Sequence, residues 1–360
     1  MTAHGMLERL LAREELDERR AAELLVILSD PNLAPALAGA LLAALRARGE
    51  TPAEIRGFAK AMRARAVRPA LPAEVACIDI GGTGGDDSGS LNLSTGAALV
   101  TAACGVPVAK QVHRAVSSRS GSADVVEAMG FGPLDGDSTF AACLRECGIG
   151  FLPASAIHPI LSGLAEVRAA LRVRTIFDLL HPLANPVAPT HQVIGASSPE
   201  MAQLLAEALA GLPIERGFVV HGDPGWDEPT PAGPFLLFDV RPDRMQLEQR
   251  DPLSYGIARC SPESLAGGAS EHNAARLAAV LEGDDRGAHR DALLLGAALG
   301  LEVCGRGATM EEGLAMAAAA IDDGRAHALV RRLRRFFTGR RRARSAARGD
   351  GQRRTRAVTR

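Results

Sequence analysis

The chain has 360 residues, 47% of them hydrophobic and 23% charged. This length predicts two domains, and the composition fits a globular protein with a large core; aromatics are only 3%, so an aliphatic, alanine-rich core of helices and buried parallel strands is expected rather than a β-sandwich. The formal net charge of -1 hides an asymmetry: residues 331–360 hold thirteen arginines and one acid, Asp350, and that net +12 leaves the rest of the chain at −13, which argues against a duplex-binding face on the fold and confines any nucleic-acid contact to the basic tail.

Met1 to Glu15 carries acids where a signal peptide needs an apolar run, and no apolar stretch approaches the roughly 18 residues of a membrane span. A cytoplasmic protein is expected. The cysteines, Cys77, Cys104, Cys143, Cys147, Cys260 and Cys304, form no C-x-x-C pair. Reduced, partly buried thiols are the better reading than a metal cluster.

Residues 6–66 read as helices. Leu7, Leu10 and Leu11, then Leu24, Leu25 and Leu28, recur at helical spacing, with a turn at Asp30-Pro31-Asn32. Thr51-Pro52-Ala53-Glu54 is a helix start with an N-cap, a proline at the first helical position and a capping-box acid. Residues 1–70 are therefore predicted as a small helical domain. After Pro69 and Pro72 the pattern changes. Val75 to Ile80 reads as a strand, Ser94 to Cys104 as an apolar helix and Val106 to Val112 as the next strand. Gln192 to Ala196 and Phe218 to His221 read as further strands, separated by a helix that opens at Ser198-Pro199-Glu200. Such alternation predicts an α/β domain over 73–335, with a mainly parallel sheet flanked by helices. Phe235 to Val240 and Arg244 to Glu248 suggest a hairpin. Residues 270–282, 289–303 and 309–323 are helical. Beyond about Phe337 no apolar period persists, and 336–360 is predicted as a disordered basic tail.

Four features carry chemistry. Gly81 to Thr95 is a glycine- and hydroxyl-rich loop that ends at a helix start. Its backbone amides can converge on an anion, and the helix N-terminus favours one. It is neither a Walker loop nor the G-x-G-x-x-G pattern. Asp86 and Asp87 would repel a bare phosphate, so a cation or sugar hydroxyls are expected there; a plain surface turn is the bland alternative. Lys110 is one of only two lysines, with Lys60, in an arginine-rich chain. It reads as ending a strand, where it reaches a phosphate or is simply solvated. Arg114 to Ser122 supplies a second polar stretch able to close over the same anion. Asp227-Glu228, in a glycine- and proline-containing loop, suits a hydrated Mg²⁺ shared with substrate phosphates, although surface acidic pairs are common.

Together the motifs resemble the anthranilate phosphoribosyltransferase family, within the nucleoside-phosphorylase-like class. The match runs from about Leu7 to Leu333. It rests on Gly49 to Ile55, Gly82-Thr83-Gly84-Gly85-Asp86, Asn92-Leu93-Ser94-Thr95, Arg114 to Ser118 and Ser120 to Asp124. Arg174 to Phe177, Asn185-Pro186, Gln192 to Gly195, Val220-His221-Gly222, Asp227-Glu228, Gly267-Gly268 and Asn273 extend it. The resemblance implies a helical domain hinged to an α/β domain, a homodimer, phosphoribosyl pyrophosphate as donor and Mg²⁺ as cofactor. It implies that Gly82, Gly85, Asp86, Ser90, Asn92, Ser94, Thr95, Lys110 and Ser122 hold the donor, and that Ser94, Asp227 and Glu228 hold Mg²⁺. Arg168 and Pro182, with Gly82 and His113, should line the acceptor side, and His158 should stand at its entrance. The implied reaction moves phosphoribose onto the amine of anthranilate, as in tryptophan biosynthesis. The chain departs from the family pattern at Gln111-Val112-His113, where His-Gly-Asn is usual, at His181, where glycine is usual, and at Ser90, where threonine is usual. Those departures keep two alternatives in view: a transferase for another aromatic or heteroaromatic amine, and a non-catalytic homologue that binds nucleic acid through its tail.

Overall fold

Thr51 and Glu54 form the capping box that their spacing predicts, and proline occupies the first helical position. Glu54 is also fully buried. Its carboxylate accepts the Leu16 N–H at 2.8 Å and is paired with Arg48, so one N-terminal acid also anchors the loop between the first two helices. The computed structural model describes residues 2–69, 76–115, 119–132, 134 and 137–358. Pro72, Val75 and Val116-Ser117-Ser118 lie outside them.

Four helices open the chain: α1 (Ala3–Leu11), α2 (Glu18–Leu28), α3 (Pro35–Arg48) and α4 (Pro52–Arg65). Then come β1 (Ile78–Gly82), α5 (Leu93–Ala103), β2 (Val108–Val112), α6 (Ser122–Ala128), α7 (Asp137–Cys147) and β3 (Ile149–Pro153). Four short helices follow: α8 (Ala154–Ile157), α9 (Pro159–Gly163), α10 (Ala165–Leu171) and α11 (Ile176–Leu180). The sheet resumes with β4 (His191–Gly195), α12 (Pro199–Ala210), β5 (Arg216–Gly222), β6 (Phe235–Arg241) and β7 (Arg244–Arg250). The chain closes with α13 (Ser270–Glu282), α14 (Ala288–Val303), α15 (Met310–Asp322) and α16 (Arg325–Val358). The seven strands lie in the order β3-β2-β1-β4-β5-β6-β7. The first five are parallel, and β6 and β7 join antiparallel as the predicted hairpin.

Helices cover both faces of the sheet, so the central strands are apolar on both sides. One core joins Ile80, Val193 and Val220 to α5, α14, α15 and α16. The other joins Ile194, Val219 and Val240 to α12 and the N-terminal helices. That second core also takes in Leu164, Ile176, Phe177 and Leu180. The helical layer is thus completed by a segment from the middle of the chain, which the sequence reading assigned wholly to the α/β domain.

Two elements differ from expectation. β3 was not identified from the sequence, because Gly150 and Pro153 weaken the strand signal of Ile149–Pro153, which is an edge strand that tolerates both. The predicted disordered tail is instead the continuation of α16, whose backbone is helical to Val358. Its arginines and alanines are good helix formers. Leu329, Leu333 and Phe337 recur every four residues and are buried. Arg332 and Arg334 donate to the carbonyls of Cys147 and Met129, at the ends of α7 and α6, where helix dipoles favour cations. Arg341 reaches the Gly132 carbonyl at 3.1 Å.

Truncation after Arg342 should therefore leave the melting temperature unchanged. Truncation after Arg332 removes the buried Leu333 and Phe337 and should cost about 3–6 kcal/mol at roughly 1.5–3 kcal/mol per side chain. Urea unfolding of the two truncations checks this; equal stability would show that the helix end is not part of the core.

Candidate active site

The chain lays down β1, β2 and β3 in one direction, then returns to place β4 on the other side of β1. This reversal opens a crevice beyond the C-terminal ends of β1 and β4, where open α/β sheets bind ligands. The glycine-rich loop leaves β1 there, and Asp227-Glu228 follows β5. Gly82 and Gly195 pair across β1 and β4, and a Cβ on either would collide with Asp227. The two glycines let the acidic loop lie directly on the strand ends.

Asp227 Oδ2 accepts the Gly84 N–H at 2.7 Å, and Glu228 Oε1 accepts the Ser94 N–H at 2.7 Å at the start of α5. Asp86 Oδ2 accepts the Asp227 N–H at 3.3 Å. Three carboxylates thus lie close to one another, each turned to a backbone N–H, and among the described residues no three acidic, histidine or cysteine side chains converge as a metal-ligand set. Asp227 and Glu228 keep partial solvent contact, yet the protein around them is dense enough to raise both pKa values. Loss of hydration is the first cause, and repulsion from neighbouring carboxylates adds to it. Such a cluster calls for a cation.

Lys110 supplies one. It does not end its strand; it sits in the middle of β2 and is 1% exposed. Its Nζ donates to the Ile80 carbonyl at 2.5 Å and to Ser94 Oγ at 3.4 Å. Burial lowers its pKa, while Asp79, Glu228 and Asp227 oppose that shift. Asp79 is buried with it, and burial raises its pKa to about 6. Asp79 Oδ2 accepts from Asn185 Nδ2 at 2.8 Å, which also donates to the Ala109 carbonyl. The lysine's charge reaches the site from below, within the sheet, rather than from a solvent-facing strand end.

An open cleft of about 220 Å³ flanks the loop on one side. It is lined by Gly85, Asp86, Asp87, Gly89, Ser90, Arg119, Ser120, Gly268 and Asn273. Asn273 Nδ2 donates to Asn92 Oδ1 at 2.9 Å and its Oδ1 accepts the Gly268 N–H, so the second glycine pair is tied to the first loop. Gly85 has φ +72, and a Cβ there would press on the Arg174 guanidinium. Arg174 in turn donates to Ser197 Oγ and the Thr83 carbonyl. The structure thus assembles Gly82, Gly85, Asp86, Ser90, Asn92, Ser94, Asp227 and Glu228 around the loop, with Lys110 beneath. Two predicted residues face elsewhere. Thr95 is fully enclosed with its Oγ1 unpartnered, and buried Ser122 uses its hydroxyl to accept the His113 N–H at 3.1 Å. Arg119, in the polar stretch that the sequence points to, lines the cleft. Asp79, Asn185, Arg174 and Asn273 carry no site role in the sequence reading, although Asn185, Arg174 and Asn273 lie in matched motifs.

On the other side lies a cavity of about 420 Å³ whose lining includes Thr83, Val112, His113, Arg168, Phe177, Asp178 and His181. His113 and Arg168 both line this cavity. Arg168 Nη2 donates to Asp178 Oδ1 at 2.9 Å. Pro182 and His158 are not brought to this cavity. Pro182 is buried in a short 3₁₀ turn, its carbonyl bonded to Gln192 Nε2 at 2.8 Å. His158 is 1% exposed, held inside by the sharp junction of α8 and α9, and it borders a neighbouring cavity of about 470 Å³ between that junction and the end of α2.

Two family models match: the helical bundle domain of a glycosyl transferase family over residues 5–66, and the α/β domain of the same family over 74–327. The chain is 42% identical to the anthranilate phosphoribosyltransferase of Solibacter usitatus over 93% of its own length and 98% of that protein. It is 44% identical to that of Methylobacterium radiotolerans over 91% of each. The crystal structure of the anthranilate phosphoribosyltransferase from Thermus thermophilus superposes with a TM-score of 0.86 at 40% identity, covering 92% of this chain and 99% of that one. The chain belongs to the anthranilate phosphoribosyltransferase family. Within the anthranilate phosphoribosyltransferase pattern the departures are not scattered: Gln111, Val112, His113 and His181 all line the Arg168 cavity, whereas Ser90 alone lies in the cleft on the other side of the loop.

His158 makes a pH prediction. Burial lowers its pKa from 6.5 to about 4, so the native state keeps it neutral while the unfolded chain binds a proton below pH 6.5. Its contribution is fully present above pH 6.5 and is lost as pH falls towards 4. Relative to His158→Asn, the native chain should lose about 3 kcal/mol between pH 7 and 4, read as the difference between two urea-unfolding series. Parallel pH curves would contradict the assignment.

Proposed function

We propose that this enzyme transfers the phosphoribosyl group from phosphoribosyl pyrophosphate to the amine of anthranilate and releases pyrophosphate. One observation carries the reading. The loop that gathers Asp86, Asp227 and Glu228 separates a polar, amide-rich cleft from a second cavity holding a phenylalanine and an arginine. The first suits a metal-bound polyanion; the second suits an aromatic ring with a carboxylate. A related yeast enzyme, 24% identical, has been solved in complex with PRPP and Mg.

Asp227 and Glu228 offer hard oxygen ligands, and their raised pKa values reflect lost hydration first and the crowding of neighbouring carboxylates second. They suit Mg²⁺, which binds through one or two carboxylates and completes its shell with water and substrate phosphates. Ser94, whose N–H binds Glu228 and whose hydroxyl accepts from Lys110, would supply the hydroxyl ligand of the same set. When bound, Mg²⁺ would neutralise the phosphate oxygens and stabilise the leaving pyrophosphate. The chain's own residues do the rest. Amides of the glycine loop and the start of α5 orient the pyrophosphate, and Lys110 biases the local potential from below. The C1–oxygen bond breaks as positive charge develops on the ribose. The amine, held in line by the second cavity, forms the C1–nitrogen bond and loses a proton. Positioning supplies much of the rate. A homodimer belongs to the same reading; Leu11 and Val26 on α1 and α2 are 62% and 46% exposed and offer apolar surface for it.

Asp227→Asn with Glu228→Gln should lower kcat by about 100-fold or more, of the order seen when one charge-stabilising group is lost. The melting temperature of the ligand-free protein should change little, because the amides relieve repulsion between the carboxylates while Lys110, losing two of its compensating charges, keeps Asp79. Rates across a Mg²⁺ titration check the first part and calorimetry the second; unchanged kcat and Mg²⁺ dependence would sink the metal assignment.

A further inference from the structure

His113 and His181 touch. Their rings are edge-to-face at 75° with centroids 4.3 Å apart, and His113 Nδ1 lies 3.0 Å from His181 Nε2. Both line the Arg168 cavity. A hydrogen bond between them needs one donor and one acceptor, so only two arrangements of the neutral pair exist. In the first, His113 Nδ1–H donates. His181 then carries its proton on Nδ1, an atom that is buried with no partner, which strands an N–H in the interior. In the second, His181 Nε2–H donates, and the atom left without a partner is a bare ring nitrogen. Orphaned buried N–H groups are the rarer defect. The second arrangement also puts both rings in the Nε2–H form, the intrinsically preferred tautomer of neutral imidazole, and the first puts neither ring there.

We infer that His181 fixes the tautomer of His113, so that His113 presents an Nε2–H donor to the acceptor cavity and selects an acceptor amine that carries a carboxylate. His113 lines the cavity and is exposed there, and its Nε2 bonds to none of the described residues. The ring is open to cavity water, yet enough protein surrounds it to lower its pKa, with Lys110 adding to the shift and Asp124 and Asp178 opposing it. His181 is lowered further, by burial and then by His113, Lys110 and His158. Both rings are therefore neutral near pH 7. In this tautomer His113 has no lone pair free at the cavity, so it is a directional donor and not the base that takes the amine proton. Arg168 already shares its charge with Asp178. A second, uncharged donor gives the carboxylate a fixed orientation beside it. His113 is thus a specificity-determining residue, and His181 is a positioning residue that acts through it.

The inference rests on the proposed transfer to anthranilate, but its first test does not. Long-range ¹H–¹⁵N spectra of the ligand-free protein at pH 7 read each imidazole directly. Both rings should show the Nε2–H form, and a proton on His113 Nδ1 overturns the inference. Anthranilate should then shift the His113 Nε2 resonance, whether or not turnover occurs. Failure of catalysis with the resonance shift intact would reject the proposed reaction and leave the pair's role standing. Steady-state rates with anthranilate and with aniline, which lacks the carboxylate, complete the test. His113→Phe should lower kcat/KM for anthranilate by about 10- to 100-fold, the usual worth of a hydrogen bond to a charged group, with little change for aniline. His113→Gln, whose amide reaches the place of Nε2–H, should recover most of the loss. His181→Gln keeps a donor to Nδ1 and should behave like the native chain, and His181→Phe should not. Equal losses for both amines, or no rescue by glutamine, would make the pair merely structural.

Discussion

Two carboxylate–amide bonds hold this site together: Asp227 to Gly84 and Glu228 to Ser94. They pin the loop after β5 onto the loop after β1, across the place where the sheet reverses direction. Without a side chain at Gly82 or Gly195 the acidic loop can lie on the strand ends; with one it could not. The bonds also use the negative charge to order the very amides that would otherwise meet an anion. The site is therefore assembled around a charge that wants a partner. Its loop can satisfy carboxylates in the resting protein and pyrophosphate oxygens in the working one.

A buried cation supports this from within the sheet. Lys110 is enclosed between Asp79 and the acidic loop, and each ion's desolvation cost is offset by its neighbours. Asn185 completes Asp79's hydrogen bonding and ties it to the backbone of β2. This network joins β1, β2 and the chain just before β4, the three elements that bound the crevice. Removing one member would strand the others in low dielectric, so these residues act as a unit.

The two sides of the loop have different relations to the family pattern. The polar cleft keeps that pattern apart from Ser90. The Arg168 cavity collects Gln111, Val112, His113 and His181. Val112 is fully buried at the end of β2 opposite Pro153, so its branched side chain is absorbed by the sheet. His113 and His181 instead meet each other. Two positions 68 residues apart become one contact, and the cavity gains an imidazole wall.

The sequence by itself determined the N-terminal helices, four of the five parallel strands with the hairpin, and the family. These follow from local signals: the Thr51 capping box, the 3.6-residue spacing of leucines, the β-rich runs and the glycine loop with its acidic partner. It also pointed to the loop residues and the acidic pair, through their residue types together with the resemblance to the family. It could not place residues by depth. Lys110 read as a strand-end charge and is buried; Thr95 and Ser122 read as ligand contacts and are turned inward; His158 read as an entrance and is enclosed. The arginine tail read as disordered, since polar composition conceals a helix whose buried face, among the described residues, runs through Ala326, Leu329, Val330, Leu333 and Phe337. The pairing of His113 with His181, 68 residues apart, had no local signature at all. Burial and long-range contact depend on how β1, β2 and the turn before β4 pack together, and only the tertiary structure decides that, because the free energy of a side chain depends on what surrounds it rather than on what precedes it in the chain.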